Sequence, residues 1–167
     1  MNDLQRIRDL PCWTGEVTVQ PLTGGLSNES HLVTDGAGQH VVRFGVDYPF
    51  HHVDRSREIA TARAAHAAGL APGVHYHEPG ALVLNFVEAR ALSEAEVADP
   101  ARLPAIIEMV KRCHVDLPKY LRGPVLTFWV FHVLRDYRGT LEEGSSTHRS
   151  ALPDLMVKAD ALGAATG

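Results

Sequence analysis

Apolar residues recur along this chain at two spacings, and the change from one to the other divides it. Leu4, Ile7 and Leu10 fall on one face of a short helix over residues 2–10, and Pro11, with no N–H to continue the ladder, marks its end. From 16 to 22, "EVTVQPL" alternates Val17, Val19 and Pro21, the period of two that places side chains on one face of a strand. The stretch "TGGLSNES" predicts a turn, "HLVTD" a second strand, Asp35-Gly36-Ala37-Gly38 another tight turn, and "QHVVRFGV" a third strand. Three strands joined by two glycine-bearing turns make an antiparallel meander.

After the irregular "DYPFHHVD", Asp54 or Ser56 can cap a helix over "REIATARAAHAAG", which Gly69 stops. "LAPGVHYHEPG" predicts loop and strand, and the nearly continuous apolar run "ALVLNFVE" has the length of a buried strand. Past Glu88 the spacing becomes helical. "SEAEVADPARLPAIIEMVKRCHVDL" predicts helix, opened by Ser93 and Glu96 as a capping box. "LTFWVFHVLRDYRGTLEEG" and "HRSALPDLMVKADALGAA" predict further helices, with Phe128, Trp129 and Phe131 at helical spacing and expected in a core. Five strands with one helix, then helices only, is an α+β order: a sheet lobe over 1–88 and the beginning of a helical lobe over 89–167.

Bulk numbers narrow the partners. The chain has 167 residues, 45% of them apolar, enough for one core. A net charge of −4 gives no basic footprint for nucleic acid. No run of eighteen apolar residues occurs and the N-terminus has no apolar stretch, so neither a membrane span nor a signal peptide is expected. Cys12 and Cys113 form no framework by spacing, which suits reduced thiols in the cytoplasm. His75 with His77, and His51 with His52, lack the spacing of a zinc site, and no metal site is expected.

Three features carry candidate chemistry. Gly24 and Gly25, followed by Ser27 and Asn28, make a turn whose backbone N–H groups can approach an anion closely, although hairpins use these residues for geometry alone. Arg43 is a lone cation in an apolar strand, where it either reaches water from an edge or meets a counter-charge or ligand. Glu58 lies early in the next helix, either on its solvated face or turned inward to hold Arg43 and leave the guanidinium facing phosphate. A glycine-rich strand turn, a strand cation and a helix carboxylate in this order form the nucleotide-gripping set of the protein-kinase fold.

On these residues the chain resembles the choline/ethanolamine kinase branch of the small-molecule kinases, related to the aminoglycoside phosphotransferases and LicA-type choline kinases. The resemblance runs through "PLTGGLSNESHLV", "VVRFGVD", "VDRSREIATARAAHAAGLAP" and "LVLNFVEARALS". It implies a kinase-like amino-terminal lobe that binds ATP, with Gly24, Gly25, Ser27, Asn28 and Arg43 on the phosphates and Glu58 holding Arg43. It also implies that Asn85, Phe86, Val87 and Glu88 lie beside the adenine, in the linker between lobes. The acceptor would be a small alcohol or amine: choline, ethanolamine or an aminoglycoside.

One further motif invites misreading. "HVDLPKYL" contains the His-x-Asp-Leu of a kinase catalytic loop, but the metal-binding Asn of that pattern would fall at residue 121, which is leucine. Asp116 therefore reads as a helix end. The expectation is a chain that stops before the catalytic loop, with no catalytic residue of its own and magnesium binding only in full-length relatives. Asp136 in "VLRDYRG" lies between helical flanks and is no metal ligand either. The rival reading is a non-catalytic nucleotide-binding or regulatory module. Apolar faces left exposed on the last two helices would favour a broken fragment or an oligomer.

Overall fold

The structure is a computed structural model that describes residues 3–22, 30–123, 126 and 128–166. Helix α1 (Asp3–Arg8) precedes strands β1 (Thr18–Leu22), β2 (Ser30–Asp35) and β3 (Gly38–Phe44). Helix α2 (Arg55–Ala67) leads to β4 (Val74–Glu78) and β5 (Ala81–Asn85), after which come α3 (Glu94–Ala98), α4 (Leu103–Val115), α5 (Leu117–Tyr120), α6 (Val130–Glu143) and α7 (Leu152–Thr166). The five strands form one antiparallel sheet in the order β1-β2-β3-β5-β4. The chain is thus α+β, as its pattern predicts.

Contacts divide the chain into two compact units, residues 1–47 with 54–123, and residues 48–53 with 124–167. In the first, Ile7, Val33, Val42 and Val83 are fully buried and, with Leu10 and Ala81, form the main core. All lie on, or pack against, one sheet face, which α1 and the following segment cover. Trp13 locks that segment down by donating its Nε1–H to the carbonyl of Ile7 at 2.6 Å. The β2–β3 turn is set by Asp35, whose Oδ1 accepts from the N–H groups of Ala37 at 2.9 Å and Gly38 at 3.0 Å. Its Oδ2 accepts from Thr14 at 2.7 Å, and this bond, first among several, holds the Asp35 carboxyl below the usual carboxylate range.

The opposite face carries α2. Asp54 caps it, its Oδ1 accepting from the Ser56 N–H at 2.9 Å, and Gly69 follows the end with φ of 68°, the left-handed conformation that glycine adopts without strain. Ala64 is the helix residue buried most deeply, and its small side chain allows close approach. The Ser93 capping box forms as expected, with Ser93 accepting from the Glu96 N–H and Glu96 accepting from the Ser93 N–H. Arg90 grips both Glu96 oxygens at 2.6 Å, and chiefly for that reason the Glu96 pKa falls to about 2.

Two helical expectations are corrected. The stretch from Ser93 is two helices, because Asp99 leaves helical geometry before Pro100, as residues preceding proline tend to do. The helix expected from Leu126 begins only at Val130, with Trp129 extended. The aromatic residues there are not a buried core: Phe128 is 74% and Trp129 41% exposed, although Trp129 and Phe131 meet edge to face at 5.5 Å. In this second unit α6 and α7 pack together, with Phe131 lying close over Gly163 and Arg135 donating to Asp160 at 2.8 Å. His52 pairs with Asp136 at 3.2 Å, and His51 with the Tyr137 hydroxyl at 3.0 Å. No helix among the described residues is long and apolar enough to cross a membrane.

Candidate nucleotide site

Antiparallel pairing sets Val41 opposite Leu84 and Arg43 opposite Leu82. Residues opposite each other on paired strands share a face, so these four form a continuous patch on the α2 side of the sheet. Arg43 Nη1 lies 3.3 Å from Glu58 Oε1, the side chains being 35% and 26% exposed. The strand cation and the helix carboxylate expected to meet are thus brought together. The pair is half solvated, so its worth lies in orientation more than in stability.

Sequence reasoning missed a third member. Arg55, three residues before Glu58, donates from Nη1 to Glu58 Oε2 at 2.6 Å and from Nε to the Val46 carbonyl at 3.0 Å. Its own backbone N–H is held by Asp47 Oδ1 at 2.8 Å. The signal was present as an Arg-x-x-Glu at helical spacing, but it looks like any solvated pair on a helix surface.

Beyond Val41 and Leu84 the same face opens into a cleft of about 660 Å³, lined also by Asn85, Phe86 and Val87 and by the turn from Gly69 to Gly73. This volume is in the range of small-molecule sites, roughly 300–1,000 Å³. The N–H of Asn85 donates to Gly73 and that of Phe86 to Gln39, at 2.9 and 3.0 Å. Of residues 85–88, Val87 and Glu88 are those whose N–H groups make no such bond; Glu88 is exposed and is not part of the cleft wall. Gly24, Gly25, Ser27 and Asn28 lie outside the described residues.

Asp116 does not line the cleft, although it lies 3.8 Å from Arg112, which donates to the Ala68 carbonyl at 2.8 Å. It closes α4, its N–H bonded to the Arg112 carbonyl, and its carboxylate takes Lys119 at 2.7 Å. That ammonium holds its carboxyl below the usual range.

A five-stranded antiparallel sheet with a helix carboxylate meeting a central-strand cation defines a kinase-like amino-terminal lobe, followed by helices. Among solved structures the chain is similar to a Plasmodium vivax ethanolamine kinase, with a TM-score of 0.67 and 17% identity over 87% of this chain and 46% of that one. It is also similar to a choline/ethanolamine kinase family protein from Mesorhizobium loti, with a TM-score of 0.57 and 23% identity over 86% of this chain and 47% of that one. The chain therefore spans about half the length of either structure. No family model matches this sequence, and no curated protein matches it. The likeness is one of fold, and the fold is the kinase-like one that the sequence pattern resembles.

Proposed function

We propose that this chain is the nucleotide-binding part of an ATP-dependent phosphotransferase acting in the cytoplasm on a small alcohol of the choline, ethanolamine or aminoglycoside class. The observation that carries the reading is the Arg43–Glu58 pair at 3.3 Å, on the same sheet face as a cleft bordered by Asn85, Phe86 and Val87. A guanidinium held by one carboxylate oxygen keeps N–H groups to offer an anion. An apolar cleft beside it, with the backbone of Val87 at its edge, suits a purine base. These residues fit ATP: Arg43 would meet the phosphates, Glu58 would hold Arg43, and Asn85 to Glu88 would flank the adenine. Gly24, Gly25, Ser27 and Asn28 would close over the phosphates.

The chemistry that ATP supplies is a transferable phosphoryl group, and transfer rests almost wholly on positioning and charge stabilisation. Within these 167 residues no His-x-Asp-x-x-x-x-Asn occurs, and Asp116 is committed to Lys119. The chain by itself is thus expected to bind nucleotide without turning it over, as a non-catalytic module would. Isothermal titration with ATP tests the first half, and a radiolabelled-ATP assay with choline and ethanolamine tests the second. Absence of ATP binding by a folded chain overturns the reading of the cleft. Turnover comparable with an intact kinase overturns the reading of Asp116.

A further inference from the structure

We infer that Arg55 is a positioning residue for this site: it occupies one oxygen of Glu58 so that Arg43 is steadied without being neutralised. The inference deepens the nucleotide reading and rests on it.

Glu58 has two oxygens and two guanidinium neighbours. Arg55 Nη1 holds Oε2 at 2.6 Å, while Arg43 Nη1 stands 3.3 Å from Oε1. The shorter, charge-assisted bond is the stronger, so most of the carboxylate's attraction is directed at Arg55. Freed from Arg55, the carboxylate could turn and take Arg43 with both oxygens in the fork geometry that arginine favours. Arg43 would then present fewer N–H groups and less net charge to an anion. Arg55 also donates from Nε to the Val46 carbonyl, tying α2 to the segment that leaves β3 just past Arg43. This arrangement requires Gly45: a Cβ there would overlap the Arg55 guanidinium. A planar group resting on bare backbone accounts for glycine at that position, where no positive φ demands it.

The inference differs from a general contribution of positive charge, and charge-conserving variants separate the two. Arg55→Lys keeps the cation but cannot donate from a planar fork to Val46 and Glu58 together. Gly45→Ala changes no charge and displaces the guanidinium. ATP affinity measured by titration should fall about tenfold in Arg55→Ala, by a comparable factor in Gly45→Ala, and by at least threefold in Arg55→Lys, as expected for loss of a charged hydrogen bond. In the Arg55→Ala background, Gly45→Ala should weaken binding no further, because both act through one contact. Wild-type affinity in Arg55→Lys, or additive effects of the two substitutions, overturns the inference. If Gly45→Ala does not fold, Arg55→Lys decides.

A second readout needs no nucleotide. In ¹⁵N spectra of the arginine side chains, the Arg43 Nε signal should shift and its guanidinium rotation should slow in Arg55→Ala as Glu58 turns onto it. An unmoved Arg43 signal overturns the positioning role. Absence of ATP binding by the wild-type chain overturns the nucleotide reading, leaving the spectra to judge the contact by itself.

Discussion

The two faces of the sheet are drawn from alternate residues of the same strands, yet they do different work. On β3, Val42 is fully buried against Ile7 and Val83, while its neighbour Arg43 is 35% exposed and faces Glu58. The α1 face is closed by apolar packing and by the Trp13 bond to Ile7. The α2 face is covered at one end by an alanine-rich helix and left open at the other, where the cleft lies. Apolar packing is thus concentrated on one side and the proposed nucleotide site on the other, separated by the thickness of a sheet. A strand cation costs little here because it stays half solvated and paired.

The largest effect is expected on the closed face. Ile7→Ala removes a fully buried side chain and should cost about 2–5 kcal/mol of unfolding free energy in a urea melt, for lost transfer energy and the cavity left behind. Its ATP affinity, measured on the folded fraction, should stay near wild type; if it drops in parallel, the two faces are not independent.

Next, on the open face, Arg43→Ala should weaken ATP binding roughly tenfold to a hundredfold, the range for a hydrogen bond to a charged group, about 1.5–3 kcal/mol. Its urea midpoint should move far less than that of Ile7→Ala, because a half-exposed ion pair contributes about 0–1 kcal/mol. A large loss of stability would place Arg43 with the core.

A smaller effect is expected beyond the sheet, where Glu96 joins the start of α3 to Arg90. Its folded pKa of about 2 lies below the usual carboxylate value, so its contribution is fully present above the unfolded pKa, near 4.5, and fades as pH falls through 2. Thermal melts of Glu96→Gln should therefore lie below wild type at neutral pH and converge with it in acid. A difference as large at pH 2 as at neutral pH would refute the charge-based account.

The smallest effect belongs to Asp116. Asp116→Asn should leave ATP affinity within about twofold of wild type, since the carboxylate is engaged with Lys119 at a helix end. A large loss in titration would bring that motif back into the site.

Much of this comparison is legible before any coordinates. Period-two Val17 and Val19 announce β1, and Asp54, Gly69, Ser93 and Glu96 mark helix ends by chemistry acting within a few residues. Asp99-Pro100 carried a break that helical spacing on either side hid. The stretch around Phe128 misleads for a related reason: apolar residues at helical spacing announce a helix only if something packs against them, and Phe128 is 74% exposed.

At the site, Arg43 and Glu58 could be named because each is conspicuous in its own element. Arg55 could not, since its role depends on where the Val46 carbonyl and the bare backbone of Gly45 lie relative to the helix. The sequence by itself determined the strands, most of the helices and their order, and singled out Arg43 and Glu58, because periodicity, caps and turns are local. Only the tertiary structure decided which oxygen of Glu58 goes to which arginine, and that Val41, Arg43, Leu82 and Leu84 share one face. Those facts follow from strand register and helix docking, which sum weak contacts between distant residues that no short window of sequence contains.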